Sequence, residues 1–349
     1  MGVFEPDIFS KTRPIWNLTK LNKFPELESV IHTNFKILEG RKISLFYSGA
    51  LEINSKNFCI SIGENEKFLL KKWSENITNT EVLNLVEIVN YLYYEKCPIA
   101  KPLKFNNQEY LIKKKSHYWT ISEFIEGEYF SGTASQLDNM PKIICDLTHK
   151  LNKLSKKIKP KRGPDYNPFY LINTFKKLKQ NKNKIQSIFG DKYSILISNS
   201  MDIIEYSINE VNKFKIDSGP VQAIHYDLHP HNLLFRGDQI SAIIDYDSIL
   251  YMPIGYAIAF SSLKLCRQHL ALNKHKDSKK IGEKFKQQIH NNLLINTNWI
   301  DFFYELSLSE ILRRISIIIN LNFQKKTIWN KVLPIQIAHL KEVELLFKN

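Results

Sequence analysis

The pattern of hydrophobic and polar positions divides the chain into an extended first part and a helical second part. Short runs rich in β-branched and aromatic residues predict five antiparallel strands in the first part, at 43–48, 57–62, 67–73, 109–113 and 118–125. A helix over residues 79–95 separates the third strand from the fourth, because apolar residues from Leu85 to Leu92 recur at helical spacing.

Beyond the strands, apolar residues recur at helical spacing from residue 136 onward, apart from a short β-rich segment at 221–245. Strands that precede helices in this way predict an α+β fold with two lobes. We expect an N-lobe over residues 1–126, with a five-stranded antiparallel sheet and one helix. The helical C-lobe would take residues 127–349 and include the β-rich segment.

Composition narrows the class of protein without identifying it. The chain has 349 residues, of which 43% are hydrophobic and 24% charged, as in ordinary globular proteins. Its net charge is +14, but the basic residues are scattered and only seven are arginine. Sequence-specific nucleic-acid binding is therefore not expected, because base readout relies on clustered arginines. The sequence makes no prediction of oligomeric state.

The cellular compartment is inferred from the apolar runs, the N-terminal segment and the spacing of the cysteines. No apolar run approaches the roughly 20 residues that a membrane helix needs, so we expect no membrane span. The N-terminus has no basic-then-apolar export signal, which predicts a cytoplasmic protein. The four cysteines are far apart and form no CxxC pair, so they are expected to be free thiols.

A polar turn between two apolar runs carries the candidate chemistry. If Asp238 and Gln239 form this turn, the amide of Asn232 lies opposite the carboxylate of Asp245. One amide oxygen and one carboxylate suit Mg²⁺, which prefers oxygen ligands and accepts nucleotide phosphates in the rest of its shell. Asp227 lies on the loop just before this hairpin and could accept a hydroxyl proton.

These residues resemble a known family. The segment HYDLHPHNLLF contains Asp227 and Asn232, and the segment IIDYD contains Asp245. Both segments are similar to those of the aminoglycoside phosphotransferase/choline kinase superfamily. The resemblance implies a bilobal protein-kinase-like fold. It also implies Mg²⁺-dependent transfer of the γ-phosphate of ATP to a hydroxyl of a small metabolite, such as an amino alcohol, homoserine or an amino sugar.

The resemblance also assigns roles in the N-lobe, most closely to the homoserine kinase branch. KFLLKKW would be the strand of the phosphate-binding lysine, Lys71. Glu81 lies on the apolar face of the following helix, so we expect it to pair with Lys71, although it could instead form a capping box with Thr78. Backbone groups of the hinge would meet adenine at Glu123, Phe124 and Ile125.

Departures from the family pattern leave two alternatives open. The family often has an Asp after the Tyr that corresponds to Tyr256, where it braces the catalytic loop; here Ala257 follows. This difference suggests a nucleotide-binding pseudokinase or scaffold without turnover. His225, His229 and His231 surround Asp227 and suggest a metal hydrolase with bound zinc. We favour the kinase, in which His225 is buried and positions the loop.

Overall fold

The first part of the chain builds an antiparallel sheet. The computed structural model describes residues 4, 16–19, 25–34, 43–48, 55–62, 66–164, 166, 168–213, 215–273, 277–295 and 297–348. The strands of the sheet are β1 (Trp16–Thr19), β2 (Ile43–Ser48), β3 (Ser55–Ile62), β4 (Glu66–Trp73), β5 (Pro102–Leu103), β6 (Ile112–Lys114) and β7 (His117–Glu123). Their order is β1-β2-β3-β4-β7-β5, and β6 pairs with β7. Strands β1 and β5 were not predicted, because they are too short to show a period.

Two helices of the upper lobe, α1 (Pro25–Asn34) and α2 (Asn79–Tyr94), pack against side chains of the sheet. Leu70 of β4 is fully buried in a cluster that includes Val30 and Ile31 of α1. Trp73, at the end of β4, packs instead with Val82 of α2. Since side chains alternate along a strand, Lys71 points away from the α1 side, toward α2 and the other lobe.

The chain leaves the upper sheet after β7. Strand β8 (Glu128–Tyr129) already belongs to the lower lobe, where it pairs with β10 (Leu233–Arg236). Strand β10 also pairs with β11 (Gln239–Ile243), and β9 (Val221–His225) pairs with β12 (Ile249–Pro253). The bilobal α+β class is thus confirmed. The lobe boundary at Glu126 stays a prediction, and it falls between β7 and β8.

Helices make up most of the lower lobe. They are α3 (Ala134–Ser155), α4 (Pro168–Gln180), α5 (Ile185–Asn212), α6 (Ile254–Leu272), α7 (Ser278–Asn292), α8 (Phe303–Phe323) and α9 (Leu333–Phe347). Helix α6 is buried along nearly its whole length, and α8 packs against it as well as against α5 and α9. A non-helical residue, Gly190, kinks α5. Among the described residues, one hydrophobic core therefore includes side chains of α6, α8 and the β9–β12 ladder, and Ile88 and Leu92 of α2 pack into it as well.

Two expectations about thiols and membranes can be compared with this fold. All four cysteines are buried and free, as predicted. Among the described residues, the model contains no helix with both the length and the apolar character needed to cross a membrane.

Gly282 allows α7 to lie directly against α9. A Cβ added at this glycine would be 2.1 Å from the backbone carbonyl oxygen of Leu346, far inside van der Waals contact. Because the obstacle is backbone, it cannot be relieved by rotating a side chain.

We expect Gly282→Ala to lower the free energy of unfolding by about 1–3 kcal/mol, the usual cost of overpacking. The sign is informative, because alanine in an unobstructed helix stabilises by about 1 kcal/mol relative to glycine. Urea denaturation measures the change. The exposed neighbour Glu283, changed to alanine, serves as the control and should shift stability by no more than about 0.5 kcal/mol. A Gly282→Ala protein as stable as the wild type would contradict the close approach of the two helices.

Candidate active site

The hairpin that carries the candidate metal ligands turns one residue earlier than predicted. Arg236 pairs with Gln239, so the turn residues are Gly237 and Asp238 rather than Asp238 and Gln239. Gly237 has a φ of 59°, in the left-handed region where glycine has no steric penalty. Glycine thus favours the turn at this position, and a bulge between Leu234 and Phe235 shifts the register once more before Asn232.

This register changes the partner of Asn232 but keeps it beside the acidic residue. The carbonyl oxygen of Asn232 accepts a hydrogen bond of 3.0 Å from the Ile244 amide, so the predicted direct pairing with Asp245 is wrong. Asp245 is the next residue along. The side-chain nitrogen of Asn232 donates to the carbonyl oxygen of Asp227, at 2.8 Å. The hairpin thus brings Asn232 and Asp245 to the loop of Asp227, and the amide oxygen of Asn232 is the atom left for a cation.

Asp245 lies in an electrostatic environment that disfavours its charge. Its φ of 65° is left-handed, a strained conformation that is common at functional sites. Desolvation raises the pKa of Asp245 to about 6; Asp247 raises it further, Lys71 opposes the rise, and Asp227 adds a smaller upward contribution. Among the described residues, the Ser248 hydroxyl donates to this carboxylate, at 3.3 Å. Asp247 and Asp227 are therefore close enough to repel the charge of Asp245, and such a group attracts a cation.

Lys71 of β4 crosses from the upper lobe to this acidic group. Its ammonium forms an ion pair with Asp247 and lies 4.3 Å from the centre of the Trp73 ring. Its side chain is only 13% exposed, which reduces the screening of its charge by water. The structure therefore places Lys71 beside Asp247, a different partner from the one expected.

The expected ion pair between Lys71 and Glu81 is absent from the described residues. Glu81 instead accepts hydrogen bonds from the amide of Thr78, at 2.8 Å, and from its hydroxyl, which completes the capping box of α2. The hydrogen bond from the Thr78 amide is also the main reason that the pKa of Glu81 is lowered. The third residue of a helix is well placed to satisfy the free amides of its own first turn, and here that local role prevails.

Asp227 is held by an arginine that the sequence analysis did not single out. Arg314, on α8, donates from Nη2 to Oδ1 of Asp227 at 2.9 Å. Burial would raise the pKa of Asp227, but Arg314 and, to a lesser degree, His229 hold it well below its usual range. The available signal was weak: a pair of arginines, rare in this chain, inside an otherwise apolar helix.

The histidine at the start of the loop has a structural role. His225 is 2% exposed, and its Nε2 lies 3.1 Å from the carbonyl oxygen of Ile244. A carbonyl only accepts, so Nε2 carries the proton and the ring joins β9 to the hairpin. The part of the chain that the structure describes contains no group of three or more His, Cys, Asp or Glu side chains arranged to hold a metal ion.

The hinge after β7 has two of its three backbone amides occupied. The Glu123 amide donates to the carbonyl oxygen of Lys101 at 3.0 Å, and the Phe124 amide donates to that of Lys67 at 3.4 Å. The Ile125 amide remains the candidate donor for a base. Of the three residues predicted here, Ile125 is thus the one we retain as an amide donor to adenine.

A cavity of about 310 Å³ separates the lobes beside Asp247. Trp73, Glu81 and Leu85 line it from the upper lobe, and Lys161, Ile249 and Leu250 line it from the lower lobe. Glu81 and Lys161 approach to 3.8 Å across it. The two lobes therefore meet at the cleft without close packing.

Comparison with known protein families agrees with this geometry. Residues 52–271 match the model of the phosphotransferase enzyme family, a segment that includes Lys71, Asp227, Asn232 and Asp245. The chain belongs to the phosphotransferase enzyme family. This confirms the predicted superfamily and the prediction of an enzyme of the phosphotransferase class, whereas the homoserine kinase branch stays a prediction. None of the curated proteins matches the chain.

Solved structures show the same fold across nearly the whole chain. Spectinomycin phosphotransferase, solved with ADP and spectinomycin, is 14% identical, with a TM-score of 0.64 and coverage of 92% of this chain and 97% of that one. Amicoumacin kinase, solved with AMP-PNP and Ca²⁺, is 13% identical, with a TM-score of 0.56 and coverage of 85% and 87%. A Plasmodium vivax ethanolamine kinase is 15% identical, with a TM-score of 0.54 and coverage of 94% and 90%. These similarities establish the kinase-like fold.

The different partners of Lys71 and Glu81 can be tested by mutation. We expect Lys71→Met to lower kcat/KM for ATP about 100-fold or more, because a desolvated cation is lost from the cleft. Glu81→Gln should leave it within about threefold, because glutamine can still close the capping box. Initial-rate kinetics measure both. A loss with Glu81→Gln as large as that with Lys71→Met would instead support a Lys71–Glu81 pair during turnover.

Proposed function

We propose that this phosphotransferase moves the γ-phosphoryl group of ATP to a hydroxyl of a small metabolite. The observation that carries the proposal is the convergence of Asp227, Asn232 and Asp245 on one side of the cleft, with Lys71 reaching them from the other. Phosphoryl transfer requires mainly positioning and charge neutralisation, and these four side chains can supply both.

The residues present fit a divalent cation. Asn232 and Asp245 would hold it through an amide oxygen and a carboxylate, the hard oxygen ligands that Mg²⁺ takes. Desolvation and the neighbouring charges of Asp247 and Asp227 raise the pKa of Asp245, and both are physical reasons that a cation would be stabilised there. When bound, Mg²⁺ would neutralise charge on the phosphates. The nucleotide and Ca²⁺ in the amicoumacin kinase structure support this assignment.

Lys71 would contact the α- and β-phosphates. The ammonium has three donor hydrogens, so it can keep Asp247 as a partner while it binds a phosphate oxygen. The Ile125 amide would donate to adenine at the hinge. These assignments place the nucleotide between β4 and the β10–β11 hairpin.

Asp227 would orient the acceptor hydroxyl. The hydroxyl oxygen bonds to the γ-phosphorus, the bond from that phosphorus to the β–γ bridging oxygen breaks, and ADP leaves with the electron pair. Because its pKa is held low, Asp227 stays ionised and is a weak base. That suits a loose, metaphosphate-like transition state, in which the hydroxyl proton moves to the carboxylate late.

The acceptor would be a small hydroxyl compound such as an amino alcohol, homoserine or an amino sugar. Among the structural neighbours, one is named for spectinomycin and another for ethanolamine. A screen for ADP release over ethanolamine, choline, homoserine and spectinomycin samples these classes directly. A pseudokinase would bind nucleotide but release no ADP with any of them, nor with related hydroxyl compounds.

The role of Asp227 predicts a separation of binding from turnover. Asp227→Asn keeps the shape of the side chain but removes its charge, so we expect turnover to fall by about 10²–10⁴-fold. The dissociation constant of a fluorescent ADP analogue should stay within about threefold, because Asp227 faces the acceptor. Retained turnover would exclude the base assignment, and equal losses of binding and turnover would indicate a general structural effect.

The metal assignment predicts how nucleotide binding depends on Mg²⁺. For the wild type, Mg²⁺ should tighten binding of the fluorescent ADP analogue at least about tenfold relative to EDTA, because Asn232 and Asp245 would hold a cation that offsets the charge of the phosphates. For Asp245→Asn the two dissociation constants should converge. Asp202→Asn, at an exposed position on α5, is the control and should behave as the wild type. An unchanged Mg²⁺ effect in Asp245→Asn would place the cation elsewhere.

A further inference from the structure

A buried ionic network connects Asp227 to helix α8. Glu310, Arg313 and Arg314 share one face of α8, at the three- and four-residue spacing that brings helical side chains together. Arg314 donates from Nε to Glu310 at 2.5 Å and from Nη2 to Asp227 at 2.9 Å. One guanidinium thus bridges a buried carboxylate on the helix and the carboxylate that faces the acceptor.

Glu310 is fixed firmly enough to hold the bridge. Its side chain is 1% exposed, and both of its oxygens accept hydrogen bonds from Arg313, at 2.8 Å each. The hydroxyl of Tyr166 donates to it as well, at 2.6 Å. With Arg314, the carboxylate therefore receives four donors, which saturates its strong acceptor sites.

Aromatic rings confine the guanidinium of Arg314 from other directions. Its central carbon lies 3.9 Å from the centre of the Phe260 ring and 5.5 Å from that of Tyr226. Arginine stacks well on aromatic faces because its charge is spread over a plane. Tyr226 immediately precedes Asp227, and its amide donates to the carbonyl oxygen of Ser248 at 2.8 Å, so the loop is restrained on both sides of the network.

We propose that Arg314 is a positioning residue for phosphoryl transfer, which sets the orientation of the Asp227 carboxylate and is itself set by Glu310. The inference rests on the proposed function, because it concerns the residue that would orient the acceptor hydroxyl. Glu310 and Arg314 lie outside residues 52–271, the segment matched by the family model. The carboxylate at the reacting position would thus depend on a helix that the family pattern does not include.

The charges of the network show what Arg314 supplies. Asp227 and Glu310 carry two negative charges, and Arg313 and Arg314 carry two positive charges, so the group is balanced. Removing Arg314 leaves Glu310 paired with Arg313, but it takes from Asp227 the guanidinium that holds its pKa low. The His229 ring, whose Nε2 is 3.7 Å away, stays beside Asp227. The loss would therefore change both the direction of the Asp227 carboxylate and its electrostatic environment.

The experiment compares Arg314→Met, Arg314→Lys and Arg314→Ala in the full chain, with ATP and whichever of ethanolamine, choline, homoserine or spectinomycin gives the fastest ADP release. We expect Arg314→Met to lower kcat about 100-fold, the cost of misplacing a reacting group by about 1 Å. KM for ATP and the dissociation constant of the fluorescent ADP analogue should change less than about threefold. Arg314→Lys should lose less than Arg314→Met, and millimolar guanidinium should raise the rate of Arg314→Ala.

Arg267→Met is the matched control. Arg267 on α6 forms a more deeply buried pair with Glu342 on α9, at 2.7 Å, and neither residue belongs to the proposed site. Arg267→Met should lower the free energy of unfolding without changing kcat per folded molecule, and guanidinium should not raise the rate of this variant.

Three results would overturn the inference: a kcat of Arg314→Met within about threefold of the wild type, an equal loss with Arg267→Met, or a parallel loss of nucleotide affinity. Should methionine prevent folding, the lysine and alanine variants decide in the same way. A wild-type protein without turnover on any acceptor would instead contradict the proposed function.

Discussion

The mutual repulsion of three carboxylates is the constraint around which this molecule is arranged. Asp227, Asp245 and Asp247 come from one loop and the end of one hairpin, and desolvation together with the charges of Asp247 and Asp227 raises the pKa of Asp245. Two cations from distant parts of the chain offset that repulsion, Lys71 from the upper lobe and Arg314 from α8. Asp245 is the carboxylate left without such a partner among the contacts described, and it is also the one whose pKa is raised. Asp245, whose charge has no such partner among the described residues, is thus the carboxylate best suited to bind a metal ion.

The fold explains how residues so far apart in sequence meet at this point. Strand β4 presents alternate side chains to the α1 core and to the cleft, so the burial of Leu70 directs Lys71 toward the lower lobe. The β9–β12 ladder and the β10–β11 hairpin end beside one another, which gathers the acidic residues. The site therefore depends on which side chains of β4 face the cleft and on how residues pair in the β10–β11 hairpin.

Much of this arrangement could be predicted from the sequence, and the exceptions have physical causes. The α+β division, the long helix α2 with its capping box, and the residues of the cleft follow from periodicity and motif. The register of the hairpin could not be predicted in this way, because the turn forms at Gly237, which adopts a left-handed φ without steric penalty. Glu81 had two plausible partners, and proximity in sequence favoured the local one. Arg314 could not be found, because a contact across 87 residues leaves no periodic trace.

The location of Arg314 also bears on how much of the chain constitutes the working enzyme. A fragment that ends after α7 would retain the whole family segment and every proposed ligand of nucleotide and metal. It would lack the guanidinium that faces Asp227, as well as the hydrophobic surface that α8 shares with α6. A boundary drawn at the end of the family segment would therefore leave out this contact, and chimeras that exchange the C-terminal helices between relatives would separate Asp227 from its counter-charge.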